Sequence, residues 1–434
     1  VIVPIAYTIL MSGYNYKTGN ELTKQDALVQ VLGNGLSQDA SGATYDMRLG
    51  KKDGKLVALL TEQTSKQVFL GENSAITELS ADAVTTDQNG IAVATNGFTA
   101  LSDDEASASE EQIMGLKFAD GQGKFIAPQA TDTAALMYQP LTLSEDQKTL
   151  SNSETGVVYK DNGNGNFVSE ADGTVLYPGW REFNPAQNYI GLLTDPVIRG
   201  PFLNVFIWTV TFAFITVFIM FFAGLALALA LDKKIRGRNF YRAILILPYA
   251  IPSFMSILIW NGMFNRQFGA VNLLIGEQID WYGSPILAKI VILVVNLWLG
   301  FPYFYLISSG ALQALPSDIL EAAEIDGASG GQIFRQIKLP MLMQILAPLL
   351  IASFAFDFNN FNIVYLLTGG GPTDVLSGES AGATDILITY AYKTAFGGET
   401  QNLGLASAIS VIMFLIVGAL SMWSLRRSKV LQEL

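Results

Sequence analysis

A single carboxylate interrupts a long apolar run in the C-terminal half of the chain. Asp357 lies near the middle of Met341–Thr368, a segment with no other charged residue. An acid at the centre of a membrane span costs about 2.5–3.5 kcal/mol on insertion scales. Helical spacing places a hydroxyl, a ring, this carboxylate and an amide on one face: Ser353, Phe356, Asp357 and Asn360. Such a face is typical of a passage for a polyhydroxylated solute. The alternative is that these groups form interhelical hydrogen bonds that hold the bundle together.

Other chemistry is limited by what the sequence lacks. The 434 residues include neither cysteine nor histidine, which excludes disulfides, thiolate metal sites and catalysis by imidazole. The segment Lys160–Gly173 resembles a calcium loop, but glycine stands where two of the acidic ligands would be required. Its Asn-Gly steps favour a hairpin turn. We therefore expect no catalytic residue and no metal site.

Charge separates the chain into two parts. Half of the residues are hydrophobic and the net charge is -12, and the 25 acidic and 13 basic residues between positions 11 and 200 account for all of this charge. Within this acidic block, short alternating runs such as KLVALL, KQVFL and GIAVAT are separated by turn residues. This pattern predicts a solvated, β-rich domain over residues 11–200 and argues against nucleic acid as a partner.

The remainder, residues 201–434, has the pattern of a membrane protein. Five segments are long and apolar enough to cross a bilayer: Leu203–Leu231, Ala243–Phe264, Ile286–Leu312, Met341–Thr368 and Asn402–Leu425. Residues 1–10 are predicted to be the C-terminal part of a further, truncated span. Prolines interrupt several of these spans, and they indicate either simple kinks or broken helices that line a cavity.

Basic residues in the short connections predict the orientation. Ten Lys and Arg lie in the connection after Leu231, in the loop 313–340 and after Leu425, whereas the alternate connections carry only Arg266 and Lys393. The positive-inside bias places the first set in the cytoplasm and the acidic domain outside.

The predicted cytoplasmic loop contains two helix-start patterns. Asp318 with Glu321 forms a capping-box pattern, so a short helix is expected over about 319–326, ending at Gly327. Ser329 with Gln332 repeats the pattern, which predicts a second helix that ends near Leu339, before Pro340. The stretch SGGQ is thus a helix start rather than part of a nucleotide site, and the sequence contains no phosphate-binding loop.

This loop resembles the EAA loop of ABC importer permeases. The sequence EAA, three residues, glycine, nine residues and I-K-L-P matches that pattern. In the family the first short helix docks in a cleft of the partner ATPase. The resemblance therefore implies an ATPase-coupling role for Glu321, Ala322, Ala323, Gly327, Leu339 and Pro340.

The motifs LILPYAIPSF, NLWLGFPYFY, IASFAFDFNNF and LLTGGGP are similar to those of the larger permease subunit in maltose and maltodextrin importers. The resemblance implies the type I ABC importer permease fold, an α-helical polytopic membrane protein with an inserted β-rich extracytoplasmic domain. It also implies that earlier family spans would precede Val1. Sugar contacts are implied at Tyr249, Ser253, Leu299, Gly300, Tyr303, Ser353, Phe356, Asp357 and Asn360. The family pattern has asparagine where this chain has Asp357, which adds a possible charge.

The implied protein is a permease subunit, not an enzyme, in a bacterial cytoplasmic membrane. Its expected partners are a second permease subunit, two ATPase subunits, an extracytoplasmic sugar-binding protein and the lipid bilayer. ATP and Mg would be bound by the ATPase, with no cofactor in this chain, and the substrate would be maltose or maltodextrin. Three alternatives remain: a permease for another oligosaccharide or polyol, a membrane receptor with an external sensing domain, and an ion-driven transporter.

Overall fold

The computed structural model describes residues 2–121, 123–232, 236–373, 381–398 and 400–427. These residues form two compact units, one from Gly19 to Arg181 and the other from the residues on either side. Three of the basic residues used for the orientation, Lys233, Lys234 and Lys429, lie outside the described residues.

The helices, in chain order, are α1 Ile2–Met11, α2 Lys24–Asn34, α3 Asp103–Ala108, α4 Glu110–Met114, α5 Gln187–Thr194, α6 Pro196–Asp232, α7 Arg238–Ala250, α8 Ser253–Met263, α9 Ala270–Ile275, α10 Pro285–Gln313, α11 Ser317–Ile325, α12 Gly330–Gln332, α13 Leu339–Phe358, α14 Phe361–Leu367, α15 Leu387–Phe396 and α16 Leu403–Arg427.

The strands all belong to the unit Gly19–Arg181. They are β1 Ser37–Gln38, β2 Thr44–Lys52, β3 Lys55–Glu62, β4 Val68–Glu72, β5 Ala75–Leu79, β6 Val84–Thr86, β7 Ala92–Thr95, β8 Thr99–Ala100, β9 Phe118–Ala119, β10 Phe125–Pro128, β11 Thr133–Tyr138, β12 Leu141–Leu143, β13 Thr149–Asn152, β14 Val158–Asp161 and β15 Phe167–Ser169.

The largest sheet of this unit closes on itself. Its hydrogen-bonded order runs β1-β11-β10-β9-β5-β4-β3-β2-β8, and β11 also pairs with β2, so that seven strands form a ring. Alternate residues of β2 and β3, such as Met47 and Leu60, point into its core together with Phe118 and Ile126. Closure leaves few unpaired strand edges. The predicted β-rich domain is confirmed.

A second sheet, β12-β13-β14-β15, packs on α2 around Trp180 and Phe167. Strands β14 and β15 form the hairpin predicted in place of a calcium loop, with a loop of five residues between them. The described residues contain no group of three or more acidic side chains that could hold a metal ion.

The boundaries of this unit differ from the predicted 11–200. The flanking residues belong to the other unit, because Asn188 donates hydrogen bonds to the carbonyl oxygens of Ser12 and Tyr14 at 2.8 and 2.9 Å. Residues 196–200 already form the first turn of α6. Helix α6 therefore begins before the predicted span Leu203–Leu231, within the range predicted for the β-rich domain.

The unit formed by the residues on either side of Gly19–Arg181 is called the membrane unit below. Among its described residues, four helices are long and apolar enough to span a bilayer: α6, α10, the continuous helix from Gly330 to Phe358, and α16. Helices α7 and α8 form a bent pair with an angle of 93° and would make a fifth span. α6 packs closely on α10, since a Cβ added to Gly224 would lie 2.6 Å from the carbonyl carbon of Phe304.

Two helix breaks shape this unit. Ile251 is extended between α7 and α8, next to Pro252, as the proline pattern predicts for a broken helix. The second break, at Asn359 and Asn360, divides the predicted span Met341–Thr368 into α13 and α14. No proline marks it; the Asn359 side chain instead donates to the carbonyl oxygen of Ala355 at 3.1 Å, a local bond that competes with the helix backbone.

Candidate functional site

A cavity of about 720 Å³ lies where the broken helices meet α10. Its volume is within the roughly 300–1,000 Å³ range of small-molecule sites. The structure brings all nine sequence-predicted contact residues to its wall: Tyr249, Ser253, Leu299, Gly300, Tyr303, Ser353, Phe356, Asp357 and Asn360. They come from the α7–α8 bend, from the middle of α10 and from the α13–α14 break.

Asp357 is the acidic residue of this wall and is deeply buried, with 3% of its surface exposed. Its Oδ1 accepts hydrogen bonds from the amides of Asn296 at 2.9 Å and Asn360 at 3.4 Å. These bonds connect α10 to both sides of the α13–α14 break. The interhelical hydrogen bonding considered as an alternative is therefore present, but it uses only one of the two carboxylate oxygens.

Asn296 is a site residue that the sequence reasoning missed. It lies in α10 with 3% of its surface exposed and also accepts a bond from Asn360 at 3.5 Å. The signal was available, since an amide inside the apolar segment Ile286–Leu312 carries a desolvation cost of the same kind as Asp357.

Aromatic surfaces complete the cavity wall. Phe356 and Tyr249 are 71% and 59% exposed, and Tyr303 lies at the adjoining part of α10. Rings supply apolar faces, while Ser253, Ser353 and the Asp357 carboxylate supply hydrogen-bonding groups. This combination suits a solute whose rings have apolar faces and hydroxyl edges.

Gly300 has a packing role beside its place in the wall. A Cβ added there would collide with the side chain of Met220 on α6. The absence of a side chain at this position therefore leaves room for the end of the Met220 side chain as well as for the cavity.

The predicted coupling loop forms a separate site. Helix α11 has no buried residue, and Ile325 at its end is 86% exposed. Glu321, Ala322 and Gly327 are exposed, whereas Ala323 is half-buried. Small side chains beside an exposed carboxylate and an exposed apolar side chain form a surface that a partner can approach closely.

Gly327 ends α11 as predicted. Its φ is +78°, a conformation that favours glycine. Its N–H donates to the carbonyl oxygen of Glu324 and that of Ala328 to Ala323, both at 3.0 Å, which is the Schellman pattern. The start of the helix was predicted wrongly: Pro316 is the N-cap, and Asp318 lies inside the first turn. The preceding proline fixes the extended backbone that an N-cap needs, so no side-chain cap is formed.

The second predicted helix begins correctly but continues further. The backbone N–H of Ser329 donates to the Gln332 side chain at 2.8 Å, which confirms the helix start. The prediction that it ends before Pro340 was wrong. A π-helical stretch, Ile333–Lys338, leads directly into α13, where Leu339 and Pro340 are the first residues. Proline is tolerated there because the first turn of an α-helical segment does not require its missing N–H.

The fold and this loop define an ABC importer permease. A family model for the inner membrane components of binding-protein-dependent transport systems matches residues 220–428. The chain belongs to this family of permeases, whose members are multi-pass inner membrane proteins and transport subunits rather than enzymes.

Curated relatives match the chain over its full length. The maltose/maltodextrin transport system permease protein MalF of Vibrio vulnificus strain YJ016 is 37% identical over 452 residues, covering 100% of this chain and 83% of the relative. MalF of Escherichia coli strain K12 is 36% identical over 449 residues, covering 99% and 84%. Among solved structures, a bacterial ABC transporter that imports alginate aligns at 18% identity with a TM-score of 0.48, over 56% of this chain and 82% of that chain.

Proposed function

We propose that this chain forms the transmembrane pathway of an ATP-driven importer for maltose and maltodextrin-type oligosaccharides. One observation carries the proposal. A single cavity is lined by exposed aromatic faces, hydroxyls, amides and a carboxylate, which come from the α7–α8 bend, from α10 and from the α13–α14 break. The names of its full-length relatives support the same substrate class. Membership in a transport family argues against the receptor alternative, and the exposed EAA loop argues against an ion-driven transporter.

The proposed partners follow from the coupling loop. Glu321, Ala322, Ala323 and Gly327 would meet an ATPase subunit, which would bind ATP and Mg²⁺, while Leu339 and Pro340 connect the loop to α13. The family's permease subunits carry no cofactor of their own. A second permease subunit would complete the pathway, a second ATPase would act on it, and an extracytoplasmic sugar-binding protein would deliver the sugar.

In the proposed mechanism, the cavity alternates between two conformations that open to opposite sides of the membrane. Closure of the ATPases would move the α11 surfaces, and the continuous helix from Gly330 to Phe358 would carry this motion to the α13–α14 break beside Asp357. Sugar held by the cavity then needs only to favour one of the two states, since a ligand shifts an equilibrium by its difference in affinity between them.

Reconstitution of the full importer in proteoliposomes tests the substrate. We expect maltose and short maltodextrins to stimulate ATP hydrolysis and to accumulate inside. Asn360→Ala should reduce uptake at least tenfold because it removes a cavity amide, and the complex should still assemble. Ser410→Ala is the matched control, since that hydroxyl lies on α16 and bonds only to the carbonyl oxygen of Ala406. Full uptake by Asn360→Ala, or loss of the assembled complex, would contradict the assigned role.

Gly327→Ala tests the coupling surface. Alanine at a φ of +78° is strained by roughly 1–2 kcal/mol, which should distort the end of α11. We expect sugar uptake to fall while sugar binding to the cavity persists. Gly331→Ala is the control in the same loop, because Gly331 has open space around it and no positive φ. Unchanged uptake by Gly327→Ala would refute the coupling role.

A further inference from the structure

The two oxygens of the Asp357 carboxylate have different surroundings. Oδ1 accepts both amide hydrogen bonds, from Asn296 and from Asn360. No donor within the described part of the chain forms a hydrogen bond to Oδ2. This oxygen is also not fully enclosed by the protein. Since Asp357 belongs to the cavity wall, Oδ2 is the oxygen available to a solute.

The Asp357 carboxylate has no cationic side chain beside it among the described residues of the cavity. The described residues that line it include no lysine or arginine, and Asp357 is their only acid. Both partners of Oδ1 are neutral amides. A buried charge that is hydrogen-bonded but not paired gains most from a ligand that brings the opposite charge.

We propose that the cavity distinguishes sugars by charge and binds amino-substituted gluco-oligosaccharides more tightly than neutral ones, while it excludes acidic ones. This inference rests on the proposed sugar pathway and deepens it by naming the substrate class that Asp357 selects. A hydroxyl of a neutral sugar donates a hydrogen bond to Oδ2 that is assisted by the carboxylate charge alone. An ammonium at the same place also brings the opposite charge, so that the hydrogen bond becomes an ion pair and compensates the buried carboxylate.

The expected discrimination follows from that difference. We expect the attraction between ammonium and carboxylate to exceed the cost of desolvating the ammonium by about 1.4 kcal/mol, which corresponds to a tenfold gain in affinity. A carboxylate on the sugar would place two like charges together in a site of low polarity, and we expect its binding to be at least tenfold weaker than that of the neutral sugar.

Equilibrium binding to the purified importer tests this without the selectivity of the extracytoplasmic binding protein. The probes are maltose, a panel of aminodeoxymaltoses in which an amine replaces one hydroxyl at a time, and the uronic acid derivatives of maltose. We expect at least one aminodeoxymaltose to bind about tenfold more tightly than maltose, and the acids to bind at least tenfold more weakly.

Two variants decide whether Asp357 is responsible. In Asp357→Asn the ratio of amine to maltose affinity should fall to about one, because the charge is gone and the shape is kept. In Ser353→Ala the ratio should remain, because a cavity hydroxyl is lost but the carboxylate stays. Two results would overturn this inference but not the proposed function. One is an amine preference that persists in Asp357→Asn; the other is wild-type protein that binds maltose without any charge preference. Wild-type protein that binds neither maltose nor its amino derivatives overturns the proposed function itself.

Discussion

Two carboxylates are buried among the described residues of the membrane unit, and their surroundings differ. Asp385, just before α15, has no exposed side-chain surface. Its Oδ2 accepts bonds from the Lys393 ammonium and from the N–H of Gly382, both at 2.7 Å, and its Oδ1 accepts one from Thr389 at 2.8 Å. Asp357 has only amide partners, all of them on one oxygen. One carboxylate is fully enclosed and neutralised; the other keeps an oxygen for the cavity.

The enclosed carboxylate organises a turn. Gly370, with a φ of +84°, packs directly on the Asp385 carboxylate, and its carbonyl oxygen accepts a bond from the N–H of Thr384 at 3.0 Å. The Thr384 hydroxyl in turn donates to the carbonyl oxygen of Gly371. The pair Asp385–Lys393 therefore fastens the segment after α14 to α15. A fully satisfied buried charge stabilises one packed arrangement, whereas Oδ2 of Asp357 accepts no hydrogen bond from the described residues and lies at a cavity.

The largest expected effect comes from removing the counterion of the enclosed carboxylate. Lys393→Met would leave Asp385 buried without a cation, and we expect the folded importer to lose about 3 kcal/mol of stability. Thermal unfolding of the purified complex in detergent measures it. The double variant Asp385→Asn with Lys393→Met should recover much of the loss, because both charges are then removed. A single variant as stable as wild type would show that the ion pair does not hold this turn.

A smaller effect is expected at the cavity. Asp357→Asn should change the thermal stability of the same complex by less than about 1 kcal/mol, since it removes a charge that has no cationic partner and keeps the side-chain shape. The comparison with Asp385→Asn is direct, because both changes replace one carboxylate oxygen by an NH2 group and keep the side-chain shape. Equal destabilisation by the two substitutions would mean that Asp357 is also a structural carboxylate.

The sequence predicted one of these two carboxylates, and the reason is physical. Asp357 is conspicuous because it interrupts an apolar run whose burial in the membrane can be read directly. Asp385 lies between two spans, where an acid followed eight residues later by Lys393 is expected to be solvated. Its burial depends on the turn at Gly370–Pro372 folding back on it, which no local pattern indicates.

The same limit applies to the fold. The β-rich nature of the unit Gly19–Arg181, called the outer domain here, follows from its alternating runs. Closure of its sheet, however, depends on pairing between β2 and β11, which are about 90 residues apart in sequence. The break at Ile251–Pro252 was indicated by its prolines. The break at Asn359–Asn360 was not, because asparagine disrupts a helix only where its side chain finds a backbone partner. Asn296 was missed since an amide in a span is less costly than an acid.

A half-buried carboxylate in the unit Gly19–Arg181 provides the weakest case and completes the series. In the outer domain, two neighbouring groups hold the pKa of the Asp39 carboxyl well below its usual range. They are the Lys124 ammonium at 2.7 Å and the backbone N–H of Ser41 at 3.0 Å. A depressed pKa in the folded state stabilises the domain above the unfolded pKa of about 4, and this contribution is lost as the pH falls through the folded pKa.

Lys124→Met removes the largest cause of this shift. We expect the outer domain to lose a little stability at pH 6 and less at pH 3, so that its sensitivity to acid is reduced. Urea unfolding of the full chain measures this difference, with proteolysis of the outer domain as the readout at both pH values. Lys160→Met is the control, because the ion pair of Lys160 with Glu170 is more exposed. A loss of the same size at both pH values would mean that Lys124 acts by packing rather than by charge pairing with Asp39.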